Sequence, residues 1–178
     1  SGFDFEISGS CIGNNFTLEV AAVNDTFNTD NASYAWYNSN QQLVGSNAIT
    51  FNVTEYLFGL SSIPTLPITF SLTVTTPDGC WRNEPITLDR IFCGIQKGIS
   101  VNEDGKNEFF DLRLLDVKNL SLFNRYGMKV YSKNQYKDEW KGQSDNGDEL
   151  PDGTYYYVIE FNNGSEAKTG WIYKAKAN

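Results

Sequence analysis

The sequence lacks histidine, has one methionine and three cysteines, and carries few basic side chains. Histidine is the commonest general base and a frequent zinc ligand, so its absence argues against acid–base catalysis and zinc chemistry. No apolar run reaches the roughly 18–20 residues that a membrane-spanning helix needs. A net charge of −8 argues against a surface that follows phosphates. We therefore expect neither an enzyme nor a nucleic-acid-binding protein.

Apolar and aromatic residues are plentiful, at 40% and 15% of 178 residues. This composition is that of a globular chain with one sizeable core or two small ones. Charge is unevenly distributed, because residues 1–90 hold 2 basic and 9 acidic side chains, whereas residues 91–178 hold 12 and 13. The shift predicts two domains, 1–90 and 91–178.

Period-two alternation of apolar and polar residues dominates both halves and predicts β-strands. Residues 16–20 and 68–75 alternate in the first half, and clusters of Gly, Pro, Asn and Asp separate the strands. Further strands are predicted over 33–37, 48–53, 108–115, 120–124, 128–132, 154–161 and 168–175, and a loop with at most one helical turn over 55–67. The predicted fold is all-β, with two antiparallel β-sandwich domains in tandem. The segment 34–37 resembles the central strand of immunoglobulin-like and polycystic-kidney-disease-type repeats, with Trp36 as core filler.

The three cysteines, Cys11, Cys80 and Cys93, are not in a metal-binding spacing. The acidic, Asn- and Thr-rich composition is typical of an extracellular protein, in which disulfides form. We favour a Cys11–Cys80 bond that joins the first and last strands of the first domain. The alternative is a Cys80–Cys93 bond at the domain junction, because sequence spacing does not fix connectivity.

A loop at residues 100–111 has oxygen-bearing side chains in the order of a calcium-binding loop. The candidate ligands are Asn102, Asp104, Glu108 and Asp111, and calcium is the cofactor that they would bind. However, the first ligand position is the neutral Ser100, and a strand rather than a helix is predicted to follow. An Asx-stabilised loop that enters a strand is therefore the favoured interpretation.

Five ordered segments carry a specific resemblance, at residues 98–110, 122–131, 140–142, 150–159 and 169–173. They resemble the type B C-terminal sorting domain of the type IX secretion system, also described as the gliding-motility-associated C-terminal domain of surface adhesins. The first segment departs from the family pattern at Val101, Glu103 and Glu108, where the family has Pro, Gly and Asp.

The resemblance implies that the domain is a targeting signal rather than a catalyst. Such a domain folds in the periplasm and is recognised by the outer-membrane translocon and its β-barrel proteins, including a dedicated partner for type B cargo. The cargo then reaches the cell surface or the medium. The first domain would be the last stalk repeat of a longer adhesin used in gliding motility. We expect the isolated chain to be a monomer.

Residues expected to contact the secretion machinery lie in the second, fourth and fifth segments or directly after the fifth, and are Arg125, Tyr126, Gly127, Pro151, Asp152, Gly153, Tyr156, Val158, Gly170, Trp171 and Lys174. Along the strand 154–161, one face is expected to meet the core and the other a partner, unless both are covered. Pro151 to Gly153 also fit a plain hairpin turn, which we favour. Trp140 and Trp171 are more often core than contact residues, and Lys174 begins a basic tail that ends at Asn178.

A second hypothesis is a carbohydrate-binding module, in which Trp81 or Tyr56 of the first domain would stack on sugar rings. Glycan binding by residues 1–90 alone would favour it, whereas export directed by residues 91–178 would favour the sorting role. An enzyme is the third hypothesis, and it lacks a nucleophile with an adjacent base.

Overall fold

The computed structural model describes residues 2–176, which form two compact units that divide between Cys93 and Gly94. Residues 177 and 178, at the end of the predicted basic tail, lie outside the described residues. Unit 1 contains β1 Phe5–Ile12, β2 Asn15–Ala22, a 3-10 turn Val23–Asp25, β3 Ser33–Tyr37, β4 Leu43–Val44, β5 Thr50–Asn52, α1 Val53–Phe58, β6 Ile68–Thr75 and β7 Trp81–Leu88. Unit 2 contains β8 Gly98–Ser100, β9 Val117–Phe123, β10 Lys129–Asn134, β11 Gly153–Phe161 and β12 Lys168–Ala175. The all-β prediction is confirmed.

Unit 1 is built from two antiparallel sheets, with strand orders β1-β2-β5 and β4-β3-β6-β7. Trp36 on β3 is fully buried and stacks on Phe51 of the other sheet, with 5.6 Å between ring centroids. Its indole Nε1 donates a hydrogen bond to the carbonyl of Ala48 at 2.9 Å. Trp36 therefore connects the two sheets in two ways, through the packing of its apolar ring and through the hydrogen bond that its polar N–H donates. Its predicted place in the core is confirmed.

A short helix, α1, follows β5 directly and ends the strand that the sequence predicted over 48–53. The side chain of Asn52 accepts a hydrogen bond from the Glu55 amide at 3.0 Å and so caps the helix. Val53 and Leu57 are buried, which anchors the helix to the core. The capping Asn and the apolar residues at helical spacing therefore determine the structure of this segment, although its β-branched composition favours a strand.

Strand assignments differ from the prediction in several places, and two of them have a clear physical reason. β7 was not predicted, because it lies at a sheet edge, has no regular apolar–polar alternation and includes Pro85, which an edge strand tolerates. Residues 108–115 were predicted as a strand, but the amides of Phe110 and Leu112 donate to the carbonyls of Trp140 and Lys137 at 3.0 and 2.9 Å. Their alternation reflects packing against an irregular segment rather than pairing in a sheet.

Unit 2 contains a five-stranded sheet with the order β10-β9-β11-β12-β8. Neighbouring strands are antiparallel except β12 and β8, which are parallel. One face of the sheet is buried under irregular segments that supply large side chains. The resulting core comprises Ile99, Phe110, Leu112, Val117, Leu120, Leu122, Tyr131, Tyr136, Trp140, Tyr155, Tyr157, Ile159 and Ile172.

The irregular layer of unit 2 is held by a buried polar network. The Tyr136 hydroxyl donates to the carbonyl of Phe110 at 2.7 Å and accepts from the Trp140 amide at 2.9 Å. The Trp140 indole donates to the carbonyl of Gln143 at 2.7 Å. Burial raises the pKa of Tyr136, so its hydroxyl keeps its proton and remains a donor. Trp140 is a core residue, as expected.

The disulfide joins Cys11 to Cys93, with 5.5 Å between the Cα atoms, so both pairings considered from the sequence are wrong. Cys80 lines the same surface cavity as Phe3, which precedes β1. Cys11 lies eight residues further along, or about 26 Å at the rise of an extended strand. β7 then returns the chain to the end where Cys11 lies, and this brings Cys93 within reach. Cys80 takes no part in the bond, and its thiol lies 3.6 Å from a carboxylate oxygen of Asp78.

Removal of the disulfide should destabilise unit 1 selectively. The bond closes a loop across a sequence separation of 82, which corresponds to about 4.5 kcal/mol in the chain-entropy model. We expect Cys11→Ser/Cys93→Ser to lower the stability of unit 1 by about 2–5 kcal/mol, with unit 2 unchanged. Hydrogen exchange followed by mass spectrometry in increasing urea reports each unit separately.

Cys80→Ser is the matched control, because it removes one thiol and keeps the disulfide. It should change the stability of unit 1 by less than about 1 kcal/mol. A Cys80→Ser effect as large as that of the double variant would contradict the Cys11–Cys93 assignment.

Candidate functional site

The outward face of the unit 2 sheet carries a row of aromatic side chains across three strands. Tyr156 on β11 pairs with Phe123 on β9 and with Trp171 on β12. Tyr156 and Trp171 are each 48% exposed, and Tyr173, two residues along β12, is 47% exposed. We call Phe123, Tyr156, Trp171 and Tyr173 the outer aromatic face. The side chains between them along β11, Tyr155 and Tyr157, are buried.

This division matches the expectation that one face of the strand meets the core. It also decides between the two expectations for Trp171, which was named as a contact residue although a core position was preferred, because Trp171 lies on the surface. Strand alternation decides the matter: Ile172 points inward and is fully buried, so Trp171 points outward. Val158, on the same outward side as Tyr156, is half-buried.

Polar side chains occupy the other end of the same sheet face. The Asn119 amide donates to the Asn134 side chain at 2.8 Å, and the Ser121 hydroxyl donates to Asn119 at 3.0 Å. Lys129 pairs with Phe123 at the aromatic end, and Glu160 pairs with Asn119 at the polar end. The face is therefore rich in exposed aromatic side chains at one end and hydrogen-bonded at the other.

The turn between β9 and β10 presents two more apolar side chains. Asn124 shapes the turn, because its side-chain oxygen accepts hydrogen bonds from the amides of Tyr126 and Met128 at 2.9 and 3.0 Å. Gly127 has a φ of 79°, which a glycine adopts without strain. The Arg125 guanidinium lies 4.8 Å from the centroid of the Tyr126 ring. Tyr126 is 72% exposed and therefore available to a partner.

Lys174, predicted to contact a partner, is 1% exposed and lies inside unit 2. Its ammonium donates to the carbonyl of Leu150 at 2.7 Å, to Asp152 at 3.0 Å and to Glu149 at 3.3 Å. A lysine ammonium has three donors, and each has an acceptor here. The sequence prediction was wrong because alternation along β12 sends Lys174 inward, where the acidic turn before β11 neutralises it.

Two motif glycines are explained by packing inside unit 2. A Cβ on Gly142 would lie 2.5 Å from Cε of Lys174, so a side chain there would displace the lysine. A Cβ on Gly170 would collide with the hydroxyl of Tyr157, which packs across β12 at that point. Gly170 therefore makes room for a buried ring, and its predicted contact with a partner has no side chain to support it.

The turn at Pro151, Asp152 and Gly153 is fixed from several directions. The Tyr155 hydroxyl donates to the carbonyl of Pro151, and the Lys176 amide donates to Asp152 at 3.2 Å. The hydrogen bond from Lys174 is the main cause that lowers the pKa of Asp152. The same lysine, followed by the charge of Lys176, lowers the pKa of Glu149. Both carboxylates stay ionised and hold the turn at neutral pH.

The predicted calcium ligands are engaged with the protein's own donors. Glu108 accepts from the amides of Asn102 and Asp104 at 3.4 and 3.0 Å. Asp104 accepts from the Lys106 amide at 2.8 Å, which lowers the pKa of Asp104. Asp111 forms an ion pair with Arg113 at 2.8 Å.

Within residues 2–176, no group of three or more His, Cys, Asp or Glu side chains is arranged to hold a metal ion. The arrangement favours the Asx-stabilised loop, and the calcium prediction gains no support.

The two aromatic residues considered for sugar stacking in unit 1 differ in position. Tyr56 packs against Phe51 and Phe70, with 5.7 Å between each pair of ring centroids. Trp81, at the start of β7, is 69% exposed. Of the two predicted stacking residues, Trp81 is presented on the surface and Tyr56 is tied to the core.

Residues 93–173 match the family CHU_C, described as a type IX secretion signal domain. The match confirms the resemblance predicted from the five sequence segments and falls almost entirely within unit 2. A secretion signal domain directs export to the cell surface or the medium and is not catalytic. No helix in the described part of the chain is long and apolar enough to span a membrane. Comparison with curated protein sequences finds no match.

Several solved structures are similar to the chain. The three N-terminal domains of the bacteriophage RB49 Highly Immunogenic Outer Capsid protein share 14% identity, with a TM-score of 0.37 over 98% of this chain and 59% of that one. The M60 catalytic domain with CBM51 domains of Clostridium perfringens ZmpB shares 15% identity, with a TM-score of 0.35 over 97% and 16%. Bacteroides ovatus SGBP-B, from a mixed-linkage glucan utilization locus and in complex with a heptasaccharide, shares 12% identity, with a TM-score of 0.27 over 92% and 41%. The chain thus spans less than two thirds of each, and such low TM-scores imply nothing about what it binds.

The buried ammonium should make unit 2 sensitive to acid. Asp152 and Glu149 have lowered pKa values in the folded state, so their stabilising effect is present above their unfolded pKa of about 4 and is lost as the pH falls. Lys174→Met should destabilise unit 2 by about 1–3 kcal/mol at pH 7, because the Leu150 carbonyl loses its donor. It should also flatten the decline in stability between about pH 5 and pH 3.

Lys176→Met is the matched control, because the Lys176 side chain is 59% exposed. It should change stability by less than about 0.5 kcal/mol. Urea unfolding of unit 2, followed by hydrogen exchange across this pH range, measures both effects. Identical pH profiles for Lys174→Met and the unmodified protein would show that the ammonium does not hold the turn.

Proposed function

We propose that unit 2 is a C-terminal secretion signal that the outer-membrane translocon of the type IX system and its β-barrel proteins recognise. In this role it directs the export and cell-surface placement of a large adhesin used in gliding motility, with a dedicated membrane partner for type B cargo. The observation that carries the proposal is the family match over residues 93–173, which covers nearly all of unit 2.

The outer aromatic face supports this role as the surface that a partner would cover. Aromatic side chains dominate the binding energy of many protein interfaces, because they bury large areas with little loss of conformational freedom. Tyr156 and Trp171 lie side by side on rigid, paired strands, so their positions are set before a partner binds. The exposed turn at Arg125, Tyr126 and Gly127 follows Phe123 along the chain and would extend the same contact.

Several motif residues would act indirectly. Lys174, Gly170 and Asp152 fix β12 and the turn before β11 and thereby hold Tyr156 and Trp171 in register. They are positioning residues in this proposal, and Tyr156, Val158, Trp171 and Tyr126 are the candidate contact residues. Pro151 and Gly153 belong to the turn itself.

Unit 1 would be the last stalk repeat of the exported protein. Its two-sheet architecture, its excess of acidic residues and its disulfide suit a repeat that lies outside the cell. In this role it spaces the cargo from the signal and takes no part in recognition.

Export of a reporter tests the proposal directly. A fluorescent protein with a periplasmic signal at its front and the complete chain at its end is expressed in gliding cells with and without the type IX machinery. We expect surface or medium fluorescence only when the machinery is present. The same reporter fused to residues 1–93 should stay in the periplasm in both strains. Export of the shorter fusion, or retention of the longer one when folded and intact, would refute the assignment of the signal to unit 2.

Removal of the two central aromatic side chains tests the contact surface. Tyr156→Ser/Trp171→Ser in the complete chain should reduce export about tenfold or more, since losing a central aromatic residue at an interface typically costs 2 kcal/mol or more. Circular dichroism of the purified variant should match that of the unmodified chain. Trp81→Ser is the matched control, an exposed tryptophan on unit 1. Equal export by both variants would exclude the outer aromatic face as the recognition site.

A further inference from the structure

The disulfide of unit 1 connects the first strand to the last residue of the unit. Cys11 lies on β1, and Cys93 is where unit 1 ends. The covalent path from Phe3 to Cys93 therefore has two branches. Both follow β1 as far as Cys11. From Cys11, one continues along the backbone through all the remaining strands of the unit, 90 peptide bonds in total from Phe3, and the other crosses the sulfur–sulfur bond directly to Cys93. The second branch is shorter by the whole sequence separation of 82 residues.

The ends of this short branch lie at opposite ends of the strand. Phe3 and Cys80 line one surface cavity, whereas Cys11 and Cys93 are joined about 26 Å away along β1. A pull on the two ends of unit 1 is thus directed along β1. A strand already rises about 3.3 Å per residue, and a fully extended chain rises only 3.3–3.6 Å, so β1 has almost no length to gain.

We propose that the disulfide makes unit 1 an inextensible link, in which tension passes along β1 and the sulfur–sulfur bond and bypasses residues 12–92. Those residues form a closed covalent loop, and both sheets can stay folded while the ends are loaded. Without the bond, the backbone of residues 12–92 is the only covalent connection between β1 and Cys93. Non-covalent contacts alone then keep that segment folded when β1 is pulled away from β7. The disulfide therefore decides whether load extends the unit or passes through it.

The biological setting of this inference rests on the proposed function, because a stalk repeat beside a secretion signal bears load when its cargo is held at the cell surface. The mechanical property itself does not depend on export. A failed export experiment would leave it intact, and a failed mechanical experiment would leave the secretion signal intact.

Single-molecule force spectroscopy of the complete chain tests the inference, with marker domains of known length fused at both ends. Unit 2 contains no cysteine and should unfold in every trace, which provides an internal reference. The oxidised protein should show that one release and no second release of comparable length. Cys11→Ser/Cys93→Ser should add a second release of roughly 280 Å, from the chain between positions 11 and 93, a sequence separation of 82.

Cys80→Ser is the matched control, because it keeps the disulfide and should give a single release. Hydrogen exchange before pulling establishes that unit 1 of the double variant is folded. If it is not, the unmodified protein is reduced in the instrument and should switch from one release to two. Two releases from the oxidised protein, or the same number before and after reduction, would overturn the proposal.

Discussion

The buried ammonium of Lys174 is the interaction on which the second unit depends most. Burial of a charge is costly unless every donor is satisfied, and here one carbonyl and two carboxylates surround it. The need to satisfy this ammonium constrains the residues of three separate segments of the chain. It explains why position 142 is a glycine, why acidic residues precede β11, and why the last strand is bound to the turn before β11 as well as to β11 itself. Sequence features spread from Gly142 to Lys174 thus have one physical cause.

This constraint also limits where recognition can occur. Motif residues that satisfy Lys174 or make room for Tyr157 are used inside the unit, so they are poor candidates for contact with a partner. Strand alternation then leaves the outward residues of β9, β11 and β12, among which Tyr156 and Trp171 are paired across the strands and each 48% exposed. An exposed aromatic pair on a rigid sheet costs solubility, and the binding role proposed above gives a reason for it.

Alternation in the sequence predicted most strands and the two faces of β11, because side-chain period is a local property. The burial of Trp36 and Trp140 was predicted on other grounds, the resemblance to a central sandwich strand and the need of a small core for large apolar side chains. It failed where the outcome depended on contacts distant in sequence. Residues 108–115 alternate like a strand but pack against another loop, and β7 is largely exposed and lacks regular alternation because it lies at an edge. The disulfide was assigned to the correct first strand and the wrong partner, because sequence does not reveal which end of a strand a cysteine faces. Lys174 was taken for a surface residue, since lysine is rarely buried unless it is paired.

The two units are stabilised by different interactions, so their stabilities respond differently to the redox environment. Unit 1 gains its covalent link only where thiols oxidise, as in the periplasm or outside the cell. Unit 2 has no cysteine and is held by an aromatic core and a buried ion cluster, so its fold does not depend on redox state. In the proposed function, unit 2 is recognised as a folded domain, whereas unit 1 needs its disulfide only under load. Oxidation can therefore follow the folding of unit 2 without affecting the surface that it presents.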